Sequence, residues 1–221
     1  YLMVILVVGL YPLIADRMPG VLFGFPISFP NIMADFAYGA NGLLGLPAQI
    51  LGGMILGYFF FAGTIVGLGG GEFFLRLATA LMGRYRGGPA KVAVIASAFL
   101  GSLSGQALTN IVATGCFTIP AMKKMGFPPS YAGAIEACAS TGGAIMPPVM
   151  GGMVFISAMI TGIPYADFVI AALIPAFLYY FGLLIQVDAY AVRNGFTGQP
   201  RSELPPVWTV LKDGCIFLEA L

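Results

Sequence analysis

Residues Gly101 to Asn110 read GSLSGQALTN, a polar stretch within a long apolar region. Its neighbours are alanine, valine, isoleucine and leucine, whereas the stretch itself carries hydroxyl and amide side chains at Ser102, Ser104, Gln106, Thr109 and Asn110. Gly101 and Gly105 add backbone freedom at the same point. At membrane depth, such a stretch is tolerated only where it is buried in protein or lines a cavity. It therefore predicts a break in a membrane helix rather than part of a simple span.

The composition of the chain also indicates a membrane setting. Hydrophobic residues make up 59% of the 221 residues and charged residues only 9%, whereas soluble domains carry about a quarter charged residues. The net charge of +1 says nothing about partners, and no basic run suggests nucleic acid. The chain has no histidine, which excludes most zinc sites and the Ser-His and Cys-His nucleophile pairs. We expect an all-α, polytopic integral membrane protein and no enzyme.

A second interruption follows at residues 140–148, which read STGGAIMPP. Pro147 and Pro148 cannot donate backbone hydrogen bonds and push the residues before them out of helical geometry. Because half-length apolar segments flank this break, we expect a discontinuous transmembrane helix over residues 130–161. Two broken helices at one depth are typical of the cargo and ion sites of transporters.

The first break predicts a re-entrant helical hairpin over residues 89–124. Residues 89–101 would form about 18 Å of helix, little more than half of a hydrocarbon core about 30 Å thick. A turn at residues 102–105 would return the chain to the side from which it entered. Such a hairpin places the flanking basic residues on one face, the cytoplasmic one by the positive-inside rule: Arg84, Arg86, Lys91, Lys123 and Lys124.

Further helices are predicted along the chain. They are the end of a span at residues 1–15, a short interfacial helix at 32–44 capped by Asn31, full spans at 46–68 and 166–191, and an element that begins at Val207. Residues 72–86 are amphipathic, which predicts a helix on the membrane surface or packed on a neighbouring helix. Its predicted apolar face consists of Phe73, Leu77, Ala80 and Leu81. Because the chain starts and stops inside apolar runs, we read residues 1–221 as one partial permease domain of a longer protein.

The polar residues at the first break leave two interpretations open. Hydroxyl groups and carbonyls freed by a broken helix suit a hard cation, which prefers oxygen ligands. Alternatively, Gly101 and Gly105 form the small-xxx-small pattern of closely packed helices. The second break, at the same predicted depth, favours the ion site.

Glu136 is the only acidic residue between Glu72 and Asp167. An acid inside a membrane is a functional candidate by default, here for substrate contact. It could instead reach the interface or pair with Lys123 or Lys124, and we favour this structural reading.

Several other polar side chains allow both a functional and a structural reading. Gln106, Thr109 and Asn110 could contact substrate or ion, or hydrogen-bond between helices. Thr114 and Thr118 are expected to bond their own backbone carbonyls, and the tyrosines read as interface or packing aromatics: Tyr179, Tyr180 and Tyr190.

Residues 101–152, GSLSGQALTNIVATGCFTIPAMKKMGFPPSYAGAIEACASTGGAIMPPVMGG, resemble the large permease subunit of tripartite ATP-independent periplasmic (TRAP) transporters, the DctM-like family. The GS-x-SG opening, the IP-x-M followed by a basic pair, and the double proline after a glycine-bearing break occur in the family's order. RGGPAKVAV before this region and LIPAFLYY after it are similar to the fused permeases, which work with TAXI-type solute-binding proteins. The resemblance covers residues 46–204.

The resemblance implies a sodium-driven elevator transporter in a bacterial or archaeal inner membrane, with no cofactor besides the coupling ion. A periplasmic TAXI-type binding protein would deliver a small carboxylate, such as an organic acid, or an amino acid. The family's hairpin tip and second break, which together would hold one sodium ion, map onto Ser102, Ser104, Gly105 and Asn110 and onto Thr141, Gly142, Gly143 and Pro147. The alternative is a binding-protein-independent sodium/carboxylate symporter with similar hairpins.

Two positions depart from the family pattern. Val149 and Met150 follow Pro148 where the family more often has serine directly after the two prolines, and Glu136 stands where the family has an apolar residue. These departures leave the substrate open. The resemblance also implies that the chain is half of an inverted repeat, whose second hairpin is expected beyond Leu221.

Overall fold

The computed structural model describes residues 2–25, 27–39, 42–45, 48–49, 51–200 and 204–214. Within these ranges all regular structure is helical, in agreement with the predicted all-α class. The chain divides into two compact units, Tyr1–Met54 and Ile55–Leu221. The larger second unit contains both polar breaks.

The first unit contains helices α1 (Leu2–Leu10) and α2 (Phe29–Tyr38), joined by short 3-10 turns at residues 11–13, 15–17 and 20–22. The α-helical geometry of α1 ends earlier than the predicted residue 15, because Pro12 has no N–H for the helical bond pattern. Helix α2 begins at Phe29, with Pro30 in its first turn, where a missing N–H costs nothing. Asn31 therefore lies inside the helix and is not its cap, and the helix ends at Tyr38 rather than at residue 44.

The second unit opens with a sharply bent helix pair. A π-helical turn, Leu51–Ile55, precedes α3 (Leu56–Gly67), and α4 (Gly70–Met82) follows after a bend of 70°. Gly69 supplies the bend with a positive φ of 96°. In its described part, the span predicted at 46–68 is thus a π-helical turn followed by a short helix. Residues 46, 47 and 50 lie outside the described residues.

Helix α4 packs against α5 (Gly88–Ser104), which is one of the two predicted arrangements. The buried contact is formed by Phe73, Phe74 and Leu77 of α4 with Leu100 and Leu103 of α5. The predicted face was partly wrong, because the helix turns Phe74 and Ala78 inward while Leu81 is 37% exposed.

Helices α5 and α6 (Ala107–Lys124) lie side by side and are joined only by Gly105 and Gln106. The predicted turn at 102–105 is therefore displaced, because Gly101 and Ser102 remain helical. With 17 residues α5 is about 25 Å long, so its length alone no longer argues for a half-crossing. The re-entry of this pair into a bilayer from one side stays a prediction.

The discontinuous segment consists of α7 (Pro129–Thr141), a 3-10 turn (Gly142–Ala144), an irregular stretch, and α8 (Gly152–Thr161). The helix thus stops within the predicted break at 140–148 and resumes a few residues later. The Pro147–Pro148 peptide bond is cis.

Helix α9 (Tyr165–Arg193) is the one helix of the described residues that is long and apolar enough by itself to cross a membrane. A helix is therefore present where a span was predicted at 166–191, and its crossing of the membrane stays a prediction. The bent pair α3–α4 passes the same test of length and composition if it is counted as one span. A short helix, α10 (Val207–Asp213), follows where a further element was predicted.

Helix α5 forms the centre of the second unit. Its small residues Ala90, Ala93 and Ala98 are buried against residues of α7 and α9, among them Ala139 and Tyr180. Because these side chains are small, neighbouring backbones come close to α5 along much of its length. This close packing brings the two polar breaks together.

Candidate ion and substrate site at two helix breaks

The end of α5 and the break after α7 are in direct backbone contact. A Cβ atom on Gly101 would lie 2.6 Å from Cα of Gly143, and one on Gly143 would lie 2.7 Å from Cα of Gly101. The N–H of Val149 donates to the carbonyl of Ser102 at 3.1 Å. The two polar stretches of the sequence therefore meet, and glycine is required where they cross.

Gly105 ends α5 in the left-handed conformation, with φ of +61°. Its N–H donates to the carbonyl of Gly101 at 2.8 Å, and a Cβ atom at this position would collide with the carbonyl of Met150. The turn and the irregular stretch before α8 thus fit together through backbone atoms. Sequence reasoning placed Gly105 correctly at the turn.

Ser102 and Ser104 are both buried at this contact. The Ser102 hydroxyl donates to the carbonyl of Phe99 at 2.7 Å, and Oγ of Ser104 accepts from the N–H of Gln106 at 3.5 Å. A hydroxyl oxygen that donates its proton to a carbonyl keeps lone pairs for a cation. Both serines can therefore stabilise the helix end and still act as oxygen ligands.

The side chain of Asn110 is fully buried between α6 and α5. Its Nδ2 donates to the carbonyl of Ser97 at 2.8 Å, while its Oδ1 has no hydrogen-bond partner in the described part of the chain. A buried polar atom without a partner costs about 1–3 kcal/mol. An amide oxygen is also a preferred ligand of hard cations. This atom is the clearest sign of a ligand at the contact.

The second break contributes Gly142, Gly143 and Pro147, which are buried. Thr141 is exposed, and its hydroxyl donates to the carbonyl of Ala137 at 2.7 Å, so its side chain supports α7. Gln106 and Thr109 are exposed at the turn, where the Thr109 hydroxyl donates to Oε1 of Gln106 at 3.2 Å. The predicted residues thus divide into a buried group and an exposed polar group.

Three tyrosines of α9 hold the second break by donating to its backbone carbonyls. Tyr179 donates to Cys138 at 2.8 Å, Tyr180 to Ala139 at 3.0 Å, and Tyr165 to Pro148 at 2.8 Å and to Val149. Carbonyls at a helix break lack their full set of helical partners, so these hydroxyls complete the pairing. Sequence reasoning read Tyr179 and Tyr180 as packing aromatics and missed this role. The sequence did contain a signal for this role, namely two adjacent tyrosines, each with a hydroxyl donor, in an otherwise apolar helix.

Glu136 lies in a separate buried cluster on the inner face of α7 and is 0% exposed. Among the described residues it makes no ion pair with Lys123 or Lys124, which corrects that part of the structural reading of the sequence. The inward orientation is possible because α6 has a glycine, Gly115, opposite the carboxyl, where a Cβ atom would lie 3.2 Å from Cγ of Glu136.

Four hydroxyl groups surround the Glu136 carboxyl. Oε1 contacts the hydroxyls of Ser97 at 3.1 Å, Ser140 at 3.2 Å and Thr114, and Oε2 contacts the hydroxyl of Thr118 at 2.5 Å. The predicted bonds of the two threonines to their own helix are also present, at 2.8 Å to Asn110 and 3.0 Å to Thr114. The carboxyl thus links α5, α6 and α7.

Comparison with known proteins identifies the family. The model of the tripartite ATP-independent periplasmic transporter, DctM component, matches residues 1–220. The uncharacterized protein y4mL of Sinorhizobium fredii is 34% identical over 149 residues, 66% of this chain and 35% of that protein. The C4-dicarboxylate TRAP transporter large permease protein DctM of Pseudomonas aeruginosa is 30% identical over 138 residues, 62% of this chain and 31% of that protein. The ectoine/5-hydroxyectoine large permease protein UehC of Ruegeria pomeroyi is 26% identical over 204 residues, 91% and 46% respectively.

The chain spans about a third to a half of the length of these curated relatives. The family match covers nearly the whole chain, and it extends beyond residues 46–204, where the sequence resemblance was read. The chain therefore belongs to the DctM component family of tripartite ATP-independent periplasmic transporters, which are multi-pass permeases of the cytoplasmic membrane and not enzymes.

Proposed function

We propose that the chain is part of a sodium-coupled permease that imports a small organic acid or amino acid. Its family works with a periplasmic binding protein, and the relatives from Pseudomonas aeruginosa and Ruegeria pomeroyi are named for C4-dicarboxylates and for ectoines. A TAXI-type binding protein is the proposed partner, on the basis of the motifs around the two breaks. The cargo carries carboxylate groups in this proposal.

The proposed sodium site lies where the end of α5 meets the break after α7. The observation that carries it is the buried Oδ1 of Asn110, which lacks a partner in the described residues. Sodium would take oxygen ligands from the tip and the break: Ser102, Ser104, Gly105, Asn110, Thr141, Gly142, Gly143 and Pro147. Thr141 takes part through its backbone position at the end of α7, because its side chain is turned outward.

The exposed polar residues of the turn are the proposed substrate contacts. Gln106 and Thr109 are adjacent to the buried group and carry an amide and a hydroxyl that can bind a carboxylate. In this arrangement the ion would fix the two breaks together and the substrate would bind beside them. Occupation of one site would then favour occupation of the other.

An elevator movement requires that the two breaks travel as one body. The direct contact of Gly101 with Gly143 and the tyrosine bonds from α9 to the second break support this requirement. In our proposal α5, α6, α7 and α9 move together and carry the ion and the substrate across the membrane.

Uptake into proteoliposomes tests the proposal. The full-length permease is reconstituted with its binding protein, and uptake of labelled dicarboxylates and amino acids is measured with and without an inward sodium gradient. We expect uptake that needs the gradient and continues without ATP. Uptake that ignores sodium would contradict the proposal, and uptake without the binding protein would favour a symporter that works alone.

A further inference from the structure

The Glu136 carboxyl is a buried acid without a counter-charge in the described residues. It is 0% exposed, and the ion pairs of the described chain involve other acids, Glu72 and Asp188. A carboxylate buried without a cation is strongly disfavoured, and such a group takes up a proton instead. Glu136 is therefore a fully buried acid to which the described neighbours bring no positive charge.

The helices packed around Glu136 face it with hydroxyl groups only. Helix α5 presents Ser97, helix α6 presents Thr114 and Thr118, and α7 itself presents Ser140. Ionisable groups on the same helices have other partners or are exposed: Lys91 pairs with Asp188, Tyr131 stacks on Tyr190, and Lys123, Lys124, Cys116 and Cys138 are exposed. Helix α9 turns Tyr179 and Tyr180 towards α7, but their hydroxyls donate to backbone carbonyls.

The hydroxyl groups can satisfy both forms of the carboxyl. When Glu136 is neutral, its O–H can donate to Oγ1 of Thr118, 2.5 Å away, while Thr118 donates to the carbonyl of Thr114 at 3.0 Å. When Glu136 is ionised, the same hydroxyls rotate and donate to the carboxylate. The carbonyls that lose these bonds remain paired with N–H groups of helix α6. Each form of the acid therefore has a full set of partners.

The oxygen–oxygen distances around the carboxyl are those of hydrogen bonds. The contact of Thr118 with Glu136, at 2.5 Å, and those of Ser97 and Ser140, at 3.1 and 3.2 Å, are in the range of hydrogen bonds.

We propose that Glu136, with the hydroxyls of Ser97, Thr114, Thr118 and Ser140, forms a site that binds and releases a proton inside the helix bundle. Within the described residues, the Glu136 carboxyl makes no hydrogen bond to the residues named for the proposed sodium site, but Ser97 connects the two sites: its hydroxyl contacts Oε1 of Glu136, and its carbonyl accepts from Asn110.

Infrared difference spectroscopy of the purified full-length permease in lipid nanodiscs tests the proposal directly. Spectra of the wild type and of Glu136→Gln are compared with and without ¹³C-labelled glutamate. We expect a carbonyl band of a protonated acid at neutral pH, which shifts with the label, is absent from Glu136→Gln and is lost in alkaline buffer. A carboxylate band for Glu136 at neutral pH, or an acid band that persists throughout the titration, would overturn the proposal.

Two further variants keep the test decisive if Glu136→Gln does not fold. Thr118→Val retains the acid and removes the acceptor of its proton, so the acid band is expected to move to higher wavenumber. Thr64→Val, at an exposed threonine on α3, is the matched control and leaves the band unchanged. An acid band that is the same in both variants would contradict the assigned hydrogen bond and overturn the site.

Glu72→Gln serves as the control for an exposed carboxyl. Glu72 pairs with Arg76 on α4, and its side chain is 67% exposed, so Glu72→Gln should leave the band assigned to Glu136 unchanged. The infrared result does not depend on uptake. A permease that proved independent of sodium would therefore contradict the proposed function. The proton site would still be tested separately, by the pH titration of the infrared band.

Discussion

The buried amide of Asn110 connects the structure of the hairpin turn with its proposed chemistry. One end of the amide is fixed by the Ser97 carbonyl, which orients Oδ1 and leaves it without a partner in the described residues. A buried amide oxygen without a hydrogen-bond partner lowers the free energy of unfolding. A ligand that binds this oxygen would offset that cost and would give Asn110 a function.

Asn110→Ala is expected to weaken sodium binding. The loss of one oxygen ligand should raise the sodium concentration for half-maximal uptake about tenfold, which corresponds to about 1.4 kcal/mol. The measurement is sodium-dependent uptake in proteoliposomes. Asn194→Ala is the matched control, because Asn194 makes the same kind of amide-to-carbonyl bond, 2.8 Å to Tyr190, at the exposed end of α9. An unchanged sodium dependence in Asn110→Ala would exclude this residue from the ion site.

Gly101→Ala tests the backbone contact of the two breaks. The added methyl group would lie 2.6 Å from Cα of Gly143, where backbone cannot give way cheaply. We expect a loss of about 1–3 kcal/mol in the free energy of unfolding, the usual range for overpacking, and a lower melting temperature in detergent. Gly133→Ala is the control: Gly133 has open space around it within α7, so its replacement should be neutral or stabilising. Equal melting temperatures for the two variants would contradict the contact.

Residue identity alone could predict the composition of the site but not the placement of Glu136. The polar residues at the two breaks stand out from an apolar background, so Ser102, Ser104 and Gly105 could be chosen from the sequence. The orientation of Glu136 depends on the space left by Gly115 on another helix, and that relation between helices is not visible in a single sequence. The carboxyl was therefore expected to pair with lysines that it does not reach.

At the scale of helices, the sequence patterns predicted which helices form more accurately than where those helices end. The long span of α9 follows from apolar length, and the break after α7 follows from two glycines and two prolines. The end of α5 was placed too early, because Gly101 and the serines read as breakers. In the structure the Ser102 hydroxyl donates to the backbone three residues earlier, and the packing of Gly101 on Gly143 keeps the helix intact.

Helix α9 acts as a support for the broken helix, and Tyr180→Phe measures that support. The substitution removes the bond to the Ala139 carbonyl and leaves the ring in place. Because this carbonyl is at a buried helix break, we expect a cost of about 1–2 kcal/mol in unfolding free energy, seen as a lower melting temperature. Tyr190→Phe is the control, since the Tyr190 ring stacks on Tyr131 and Phe127 and is kept by the change. Equal effects of both variants would show that the hydroxyl bond of Tyr180 does not support the break.

At the scale of the whole molecule, the direction of the α5–α6 pair in the membrane decides the transport model. The arms are longer than the sequence suggested, since α5 has 17 residues and α6 has 18. The argument for re-entry therefore depends on charge. Basic residues flank both ends of the pair, and a simple crossing would put one of these groups on the outer face against the positive-inside rule.

Cysteine labelling tests this topology. In the full-length permease without native cysteines, single cysteines are placed at Arg84, before α5, at Lys124, at the end of α6, and at Ile163, after α8. All three positions are exposed in the structure. A re-entrant pair predicts that a membrane-impermeant maleimide labels the Arg84 and Lys124 positions from the cytoplasmic side and the Ile163 position from the periplasmic side. If the Arg84 and Lys124 positions were labelled from opposite sides, the pair would not return to the side from which it entered, and the re-entrant topology would be wrong.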